Sequence, residues 1–234
     1  MINSKKLIFT TNHTGIVISL MGNVHDNEKI HKQMSDKCDN NQLRNEDIYQ
    51  YYRKCDYDQE MILKYACRNK KEKLALSVLD YLETMEITDN SKLIQKKYID
   101  NGALILACEN NMSEVAMKLI DVGISNPGHA NVHNNLILMY ACKNKMTDVA
   151  MKLIDVGYYN PRYVNDYGNT ALIFACTNKM TEVAIKLIDV GNCKPECVNQ
   201  YDNTALILVC KNKMTDVAIK LIEVDESNPE HIDK

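Results

Sequence analysis

Nine cysteines and six histidines are the groups in this 234-residue chain best suited to metal or redox chemistry. Cys108, Cys142, Cys176 and Cys210 recur at an interval of 34 (142−108, 176−142, 210−176), each inside an apolar run. A zinc signature needs ligands a few residues apart, and no such set forms here. Cys193 and Cys197 lie four apart (197−193) without a second pair of suitable ligands nearby. Cys38, Cys55 and Cys67 complete no recognisable disulfide framework. The lattice thiols are therefore expected to be small, buried and apolar in role, in a reducing compartment. His13, His25, His31, His129, His133 and His231 are scattered, and those at 129 and 133 read as solvated. There is no Walker A loop, dinucleotide glycine motif, metal-binding helix or nucleophile elbow. We expect no catalytic, cofactor or metal residues and no enzyme activity, with residues 1–56 leaving some room for it.

Bulk properties narrow the classes further. Hydrophobic residues at 45% and charged residues at 25% suit a folded soluble chain and not a disordered one. A net charge of −3 gives no global attraction to nucleic acid or an anionic membrane. Lys5 and Lys6 precede only Leu7–Phe9, which makes no signal peptide, and the run Ile16–Met21 is too short to span a bilayer. The expected location is the cytoplasm.

The elements that would position any site follow from the period. Pro127, Pro161, Pro195 and Pro229 keep the interval of 34, as do Gly123, Gly157 and Gly191, with Asp225 in the next glycine's place. A strict period of this size means stacked supersecondary units. In the unit Asp166–Asn199, Asp166-Tyr167-Gly168-Asn169 is a turn, and Thr170 is placed to cap a first helix through Ala171–Cys176. Asn178 is expected to end that helix in a left-handed conformation. Ser113, Thr147, Thr181 and Thr215 are expected to cap the second helices, each followed by an acid. Met180 with Ile185, and its counterparts, would form hydrophobic staples. Val183, Ala184, Leu187 and Ile188 form the buried stripe, with Lys186 and Asp189 facing away from it and the second-helix acids read as structural or solvated charges. Gly191 to Asp202 is too polar for a third helix and reads as an extended finger.

Gly168-Asn169-Thr170-Ala171-Leu172-Ile173-Phe174-Ala175-Cys176 resembles the opening of an ankyrin repeat, with its Thr-Pro-Leu-His-x-Ala core after a turn glycine. Val183 to Gly191 is similar to the second ankyrin helix with its terminal glycine. Ala171 replaces the usual Pro and Ile173 the usual His, which leaves the Thr170 cap less well tied. Gly102 and Leu136 replace the capping Thr in two copies. The tetratricopeptide repeat shares the period, but its two long helices leave no room for roughly a dozen Gly-, Pro- and Asn-bearing residues per unit. The resemblance implies an all-α ankyrin-repeat solenoid of helix-turn-helix units with finger loops. The near-verbatim Lys-Met-Thr-Asp-Val-Ala and the Asn/Lys/Ile-rich composition resemble the ankyrin sets of giant amoeba-infecting viruses of the mimivirus type.

The organisation read from this is an N-terminal region at 1–56, a divergent repeat at 57–98, and repeats at 99–132, 133–166, 167–200 and 201–234. The divergent repeat carries an insertion of seven residues between Glu83 and Lys97 (108−67 is 41, against 34). Within 1–56, Lys6–Thr10 and Gly15–Met21 could form strands, Asn27–Asn45 a helix or disorder, and Ile48–Tyr52 a helix. Cap, recruitment element and floppy tail all stay open. The last helix pair lacks a polar outer face, so that end is expected to fray or self-associate in an otherwise monomeric chain.

The family resemblance places binding at finger tips and the first-helix rim. Here the tips are Ile99, His133, Tyr167 and Tyr201, and the rim includes Lys143, Lys145, Lys179, Lys211 and Lys213. Tyrosine offers contact area at low entropic cost, and the lysine row attracts an acidic partner. Asn110, Asn144, Asn178 and Asn212 read as helix caps. The function implied is binding of a host or viral protein. The alternative is the substrate adaptor of a ubiquitin-ligase-like complex that recruits through residues 1–56.

Overall fold

Ankyrin-like punctuation folds into helical pairs at every repeat position described by the computed structural model. It covers residues 10–12, 15–17, 24–54, 59–88, 101–122, 132–157, 160, 162–191 and 193–226. From Gln59 the pairs are α3 (Gln59–Arg68) with α4 (Glu72–Thr88), α5 (Gly102–Glu109) with α6 (Ser113–Asp121), and α7 (Val132–Lys143) with α8 (Thr147–Asp155). Then follow α9 (Ala171–Thr177) with α10 (Thr181–Val190) and α11 (Ala205–Lys211) with α12 (Thr215–Glu226). First helices α3, α5, α7, α9 and α11 pack in one row, and second helices α4, α6, α8, α10 and α12 in another. The interval assigned to the seven-residue insertion begins within α4, which runs on to Thr88, and the rest of it, the tip Ile99, Gly123, Cys55 and Pro127, Pro161 and Pro229 lie outside the described residues.

The stripes do what their spacing demands. Val183, Ala184, Leu187 and Ile188 are buried, as are Val149, Ala150, Leu153 and Ile154 one repeat earlier. Each large side chain so buried contributes roughly 1.5–3 kcal/mol. Cys67, Cys108, Cys142 and Cys176 are free thiols in this core. Burial pushes Cys67 and Cys176 up to about 12, and Cys108 and Cys142 are raised further. Cys210 departs from the expectation: it is exposed, because in the last hairpin no described helix covers that side.

The caps follow the sequence on the first helices but not on the second. Thr170 Oγ1 accepts the Ile173 amide at 3.1 Å, and Thr204 Oγ1 accepts the Ile207 amide at 3.2 Å. Thr170 is buried and fully engaged despite the missing histidine. On the second helices Met112, Met146 and Met180 hold the N-cap position, with no side-chain cap bond, and Ser113, Thr147 and Thr181 are the first helical residues. Those methionines are buried, so packing and not a hydroxyl fixes the entry of the chain. Gly157 and Gly191 end their helices with φ of 71° and 79°.

Asn178 also differs from expectation. Its φ is −94°, and the left-handed residue is the next one, Lys179, at 59°. The carboxamide of Asn178 instead reaches the preceding repeat, where Nδ2 donates to the carbonyls of Cys142 at 2.9 Å and Lys143 at 3.0 Å. Asn110, Asn144 and Asn212 do the same to Cys67, Cys108 and Cys176. These asparagines add a cross-repeat donor to the C-terminal carbonyls of the neighbouring helix, whose own turn offers only a longer bond, as from the Lys145 amide to the Cys142 carbonyl at 3.3 Å. A second ladder joins the second helices. Lys152 pairs with Asp121 at 2.9 Å, Lys220 with Asp189 at 2.5 Å, Lys186 with Asp155, and Lys118 with Asp80 and Glu83. Lys186 and Asp189, which face away from the buried stripe, are thus ladder members, although such exposed pairs contribute only about 0–1 kcal/mol each.

The chain divides into two units, Met1–Asp58 and Gln59–Lys234. The first holds a short antiparallel hairpin, β1 (Thr10–Asn12) with β2 (Gly15–Val17), in which Thr11 faces Ile16. Residues 6–9 and 18–21 of the expected strands lie outside the described residues, and β1 continues past Thr10, its expected end, to Asn12. Residues 27–45, expected as helix or disorder, contain most of helix α1 (Val24–Asp39), and α2 (Asn45–Lys54) follows. His31, Met34, Ser35 and Cys38 make one buried face of α1, and Ile48 and Tyr51 one of α2. His31 Nε2 lies 2.6 Å from Tyr51 Oη, joining the two helices.

Candidate protein-binding groove

The fingers are built by asparagine. Asn165 Oδ1 accepts the amides of Tyr167 at 3.0 Å and Asn169 at 2.9 Å, and Asn199 Oδ1 accepts those of Tyr201 at 3.0 Å and Asn203 at 3.1 Å. Such turns hold a tip rigid without regular structure. Adjacent fingers are tied by the Gln200 amide, which donates to the Tyr167 carbonyl at 3.0 Å, and by Asn199 Nδ2, which donates to Asn169 Oδ1 at 3.0 Å. Gly168 takes φ of 73°, and a Cβ there would stand 2.4 Å from the Val198 carbonyl oxygen of the next finger. Only glycine allows that approach.

Rigid tips leave Tyr167 60% and Tyr201 70% exposed. Beneath them lies a hollow of about 320 Å³. Leu136, Met139, Tyr140 and Lys143 of α7 form one wall, spaced i, i+3, i+4, i+7 along a single helix face. Phe174 of α9 and Asn165, Tyr167, Asn169, Gln200 and Tyr201 of the fingers complete it. Burial, then the Glu109 carboxylate, hold the Tyr140 phenol above its ordinary range, so at neutral pH it is an uncharged hydrogen-bonding group. The hollow combines apolar and aromatic floor, polar rim and one lysine at its edge, which suits a peptide-like ligand.

Of the expected contact residues, Tyr167, Tyr201 and Lys143 meet at this hollow. Lys145, Lys179 and Lys213 do not. They are exposed turn residues between the helices of each pair, all with φ of 59°. Lys145 borders a different hollow, between the starts of α6 and α8. Lys211 is the exposed last residue of α11. His133 is not at a finger tip: its backbone is the second residue of α7, and its side chain lies outside the described residues. The reason is local. Leu136 stands where Thr170 caps α9, and with no hydroxyl to stop it α7 starts five residues earlier than its counterpart (171−34 is 137, against 132 observed). Tyr140 and Phe174 were missed as contact residues, although the face repeating from Leu136 to Lys143 was readable in the sequence. Among the described residues, no cluster of three or more His, Cys, Asp or Glu could hold a metal, and no helix is long and apolar enough to cross a membrane.

Comparison with known proteins agrees with this geometry. The family model for ankyrin repeats, in three copies, matches residues 138–233. The crystal structure of EF0377, an ankyrin repeat protein, superposes with a TM-score of 0.54 at 15% identity, covering 83% of this chain and 96% of that one. No curated protein sequence matches the chain. From Gln59 onward the chain is, in fold, an ankyrin-repeat solenoid.

Proposed function

We propose that the chain is a non-catalytic scaffold that binds another protein through the hollow between α7, α9 and the two fingers. The observation that carries this reading is the pair Tyr167 and Tyr201, held exposed on hydrogen-bonded tips above Tyr140 and Phe174. Rigid tyrosines at the rim of an apolar floor give large contact area with little entropy to lose. Lys143 adds an attraction for an acidic group beside the apolar part of the ligand. If the resemblance of Lys-Met-Thr-Asp-Val-Ala to giant-virus repeats reflects the source, the partner is a host or viral protein.

The test is affinity capture with the full chain, comparing wild type, Tyr167→Ala with Tyr201→Ala, and Lys179→Ala with Lys213→Ala. Losing two anchor tyrosines is expected to weaken the captured partner by a factor of at least about 30, from roughly 2 kcal/mol or more in total. The turn-lysine variant is expected to retain it. All three should melt alike. A partner held equally by the tyrosine variant would remove the hollow from consideration.

A further inference from the structure

We propose that the hollow between α7, α9 and the two fingers takes a proline-rich segment in the polyproline II conformation, flanked by an acidic residue that meets Lys143. This rests on the reading of the hollow as the binding site and names the class of its ligand.

The hydrogen-bonding groups left open there are mostly donors. Asn199 Oδ1 is filled by two backbone amides, so what it offers the neighbouring finger is Nδ2, and Asn169 answers with Oδ1. That leaves Asn169 Nδ2 without an acceptor among the described residues, on a residue only 9% exposed that lines the hollow. Asn165 Oδ1 is likewise filled by two amides, which leaves its Nδ2 to the same hollow. Lys143 Nζ and Tyr140 Oη also have no partner among the described residues. A ligand must bring acceptors here, because a buried donor left unmet costs more than a bond gains.

The same bonds close the finger backbone to a strand. The amides of Tyr167 and Tyr201 are taken by Asn165 and Asn199, and their carbonyls by the Gln200 amide and Asn203 Nδ2. An added β-strand would find no free edge at either tip. A helix spends its carbonyls on its own amides and would present few acceptors. A nucleic-acid strand would bring a phosphate with every nucleotide to a lining whose one cation is Lys143. A polyproline II segment makes no internal hydrogen bonds, and each proline adds a carbonyl without an N–H. Its flat rings match a lining in which Tyr140, Phe174, Tyr167 and Tyr201 supply four aromatic rings. An Asp or Glu beside the prolines gives Lys143 its counter-charge.

The probe is a phage-displayed library of random peptides of about twelve residues, roughly 37 Å long as polyproline II. The wild-type full chain is the bait, and the variant Tyr167→Ala with Tyr201→Ala removes binders of other surfaces. Peptides that need the tyrosines are expected to carry Pro-x-x-Pro next to Asp or Glu at least about five-fold more often than the unselected library. A synthetic peptide from that set should bind Lys143→Gln about five-fold more weakly than wild type, and its version with the acids changed to amides should bind both chains alike. Asn165→Asp keeps the oxygen that builds the finger but loses Nδ2, so the amide version should bind it about ten-fold more weakly, with melting unchanged. Unchanged binding there overturns the proposal, and so does a loss in Lys143→Gln that is equal for both peptides. Tyrosine-dependent peptides that are poor in proline overturn the ligand class and leave the hollow as the site. A selection that yields no tyrosine-dependent peptide overturns both this inference and the reading of the hollow on which it rests.

Discussion

Gly168 and Asp202 hold the same place in successive fingers, but only Gly168 has a following finger among the described residues. Both have positive φ, 73° and 56°. At 168 an added Cβ would meet backbone, which cannot swing away as a side-chain end can. Gly168→Ala is therefore expected to cost about 2–4 kcal/mol, the left-handed penalty plus displacement of the next finger. Asp202→Gly, with no such neighbour, is expected to change stability by less than about 1 kcal/mol. Urea denaturation of both variants checks the difference, and equal effects would mean that the finger contact is unimportant. The turn asparagines make a second pair. Asn178→Ala leaves two carbonyls of the preceding helix without their cross-repeat donor, at a cost of about 1–3 kcal/mol. Asn69→Ala removes only an exposed bond within its own helix and should cost less. Their role was half legible. Asparagine after a short helix signals a cap, but one sequence does not show which helix receives it, and the recipient here is 36 residues back (178−142).

At the scale of elements, the sequence showed most where local chemistry decides and least where neighbours do. The period, the helical pairs, the Thr170 and Thr204 caps and the terminal glycines follow from residues within a few positions of each other. The second-helix caps did not. Threonine after a buried methionine looks like a capping residue, yet the core claims the methionine and makes it the N-cap. The early start of α7 hid the true setting of His133 for the same kind of reason: a missing hydroxyl is a weak signal. The hollow was legible only in part, because Tyr140 and Phe174 join the tyrosine tips through the stacking of hairpins. Burial of each hairpin's thiol by the next gives an element-by-element test. In the native chain Cys108 and Cys142, buried and raised well above the ordinary thiol range, should label more slowly than exposed Cys210 by on the order of a thousand-fold. Cysteine-resolved mass spectrometry after an iodoacetamide pulse measures this. Rapid labelling of Cys142 without unfolding would mean that the stack opens between α7 and α9.

Across the whole molecule, the two units are stabilised by different means, and pH separates them. In the repeat unit stability is a sum of hairpins and nearest-neighbour interfaces. In Met1–Asp58 a buried polar pair, His31 with Tyr51, sits among the apolar residues that join α1 to α2. Burial lowers the His31 imidazole below its ordinary 6.5, and the Glu28 carboxylate opposes that shift in part. The folded unit thus prefers the neutral ring. Between the folded value and 6.5 the unfolded chain binds the extra proton, so the stability tied to neutral His31 is complete above 6.5 and falls as pH drops through the folded value. Asp47 is no rival in that window, since hydrogen bonding from Lys37 holds its carboxyl below the ordinary carboxylate range. Lowering the pH from 7 to 5 is accordingly expected to reduce amide protection in α1 and α2 while leaving α8 and α10 unchanged. His31→Gln should flatten the dependence, because an amide keeps a hydrogen-bonding end for Tyr51 without titrating. Hydrogen exchange followed by mass spectrometry reads both units in one sample. A loss of protection in α1 and α2 as steep in His31→Gln as in the wild type would assign the acid sensitivity to other groups.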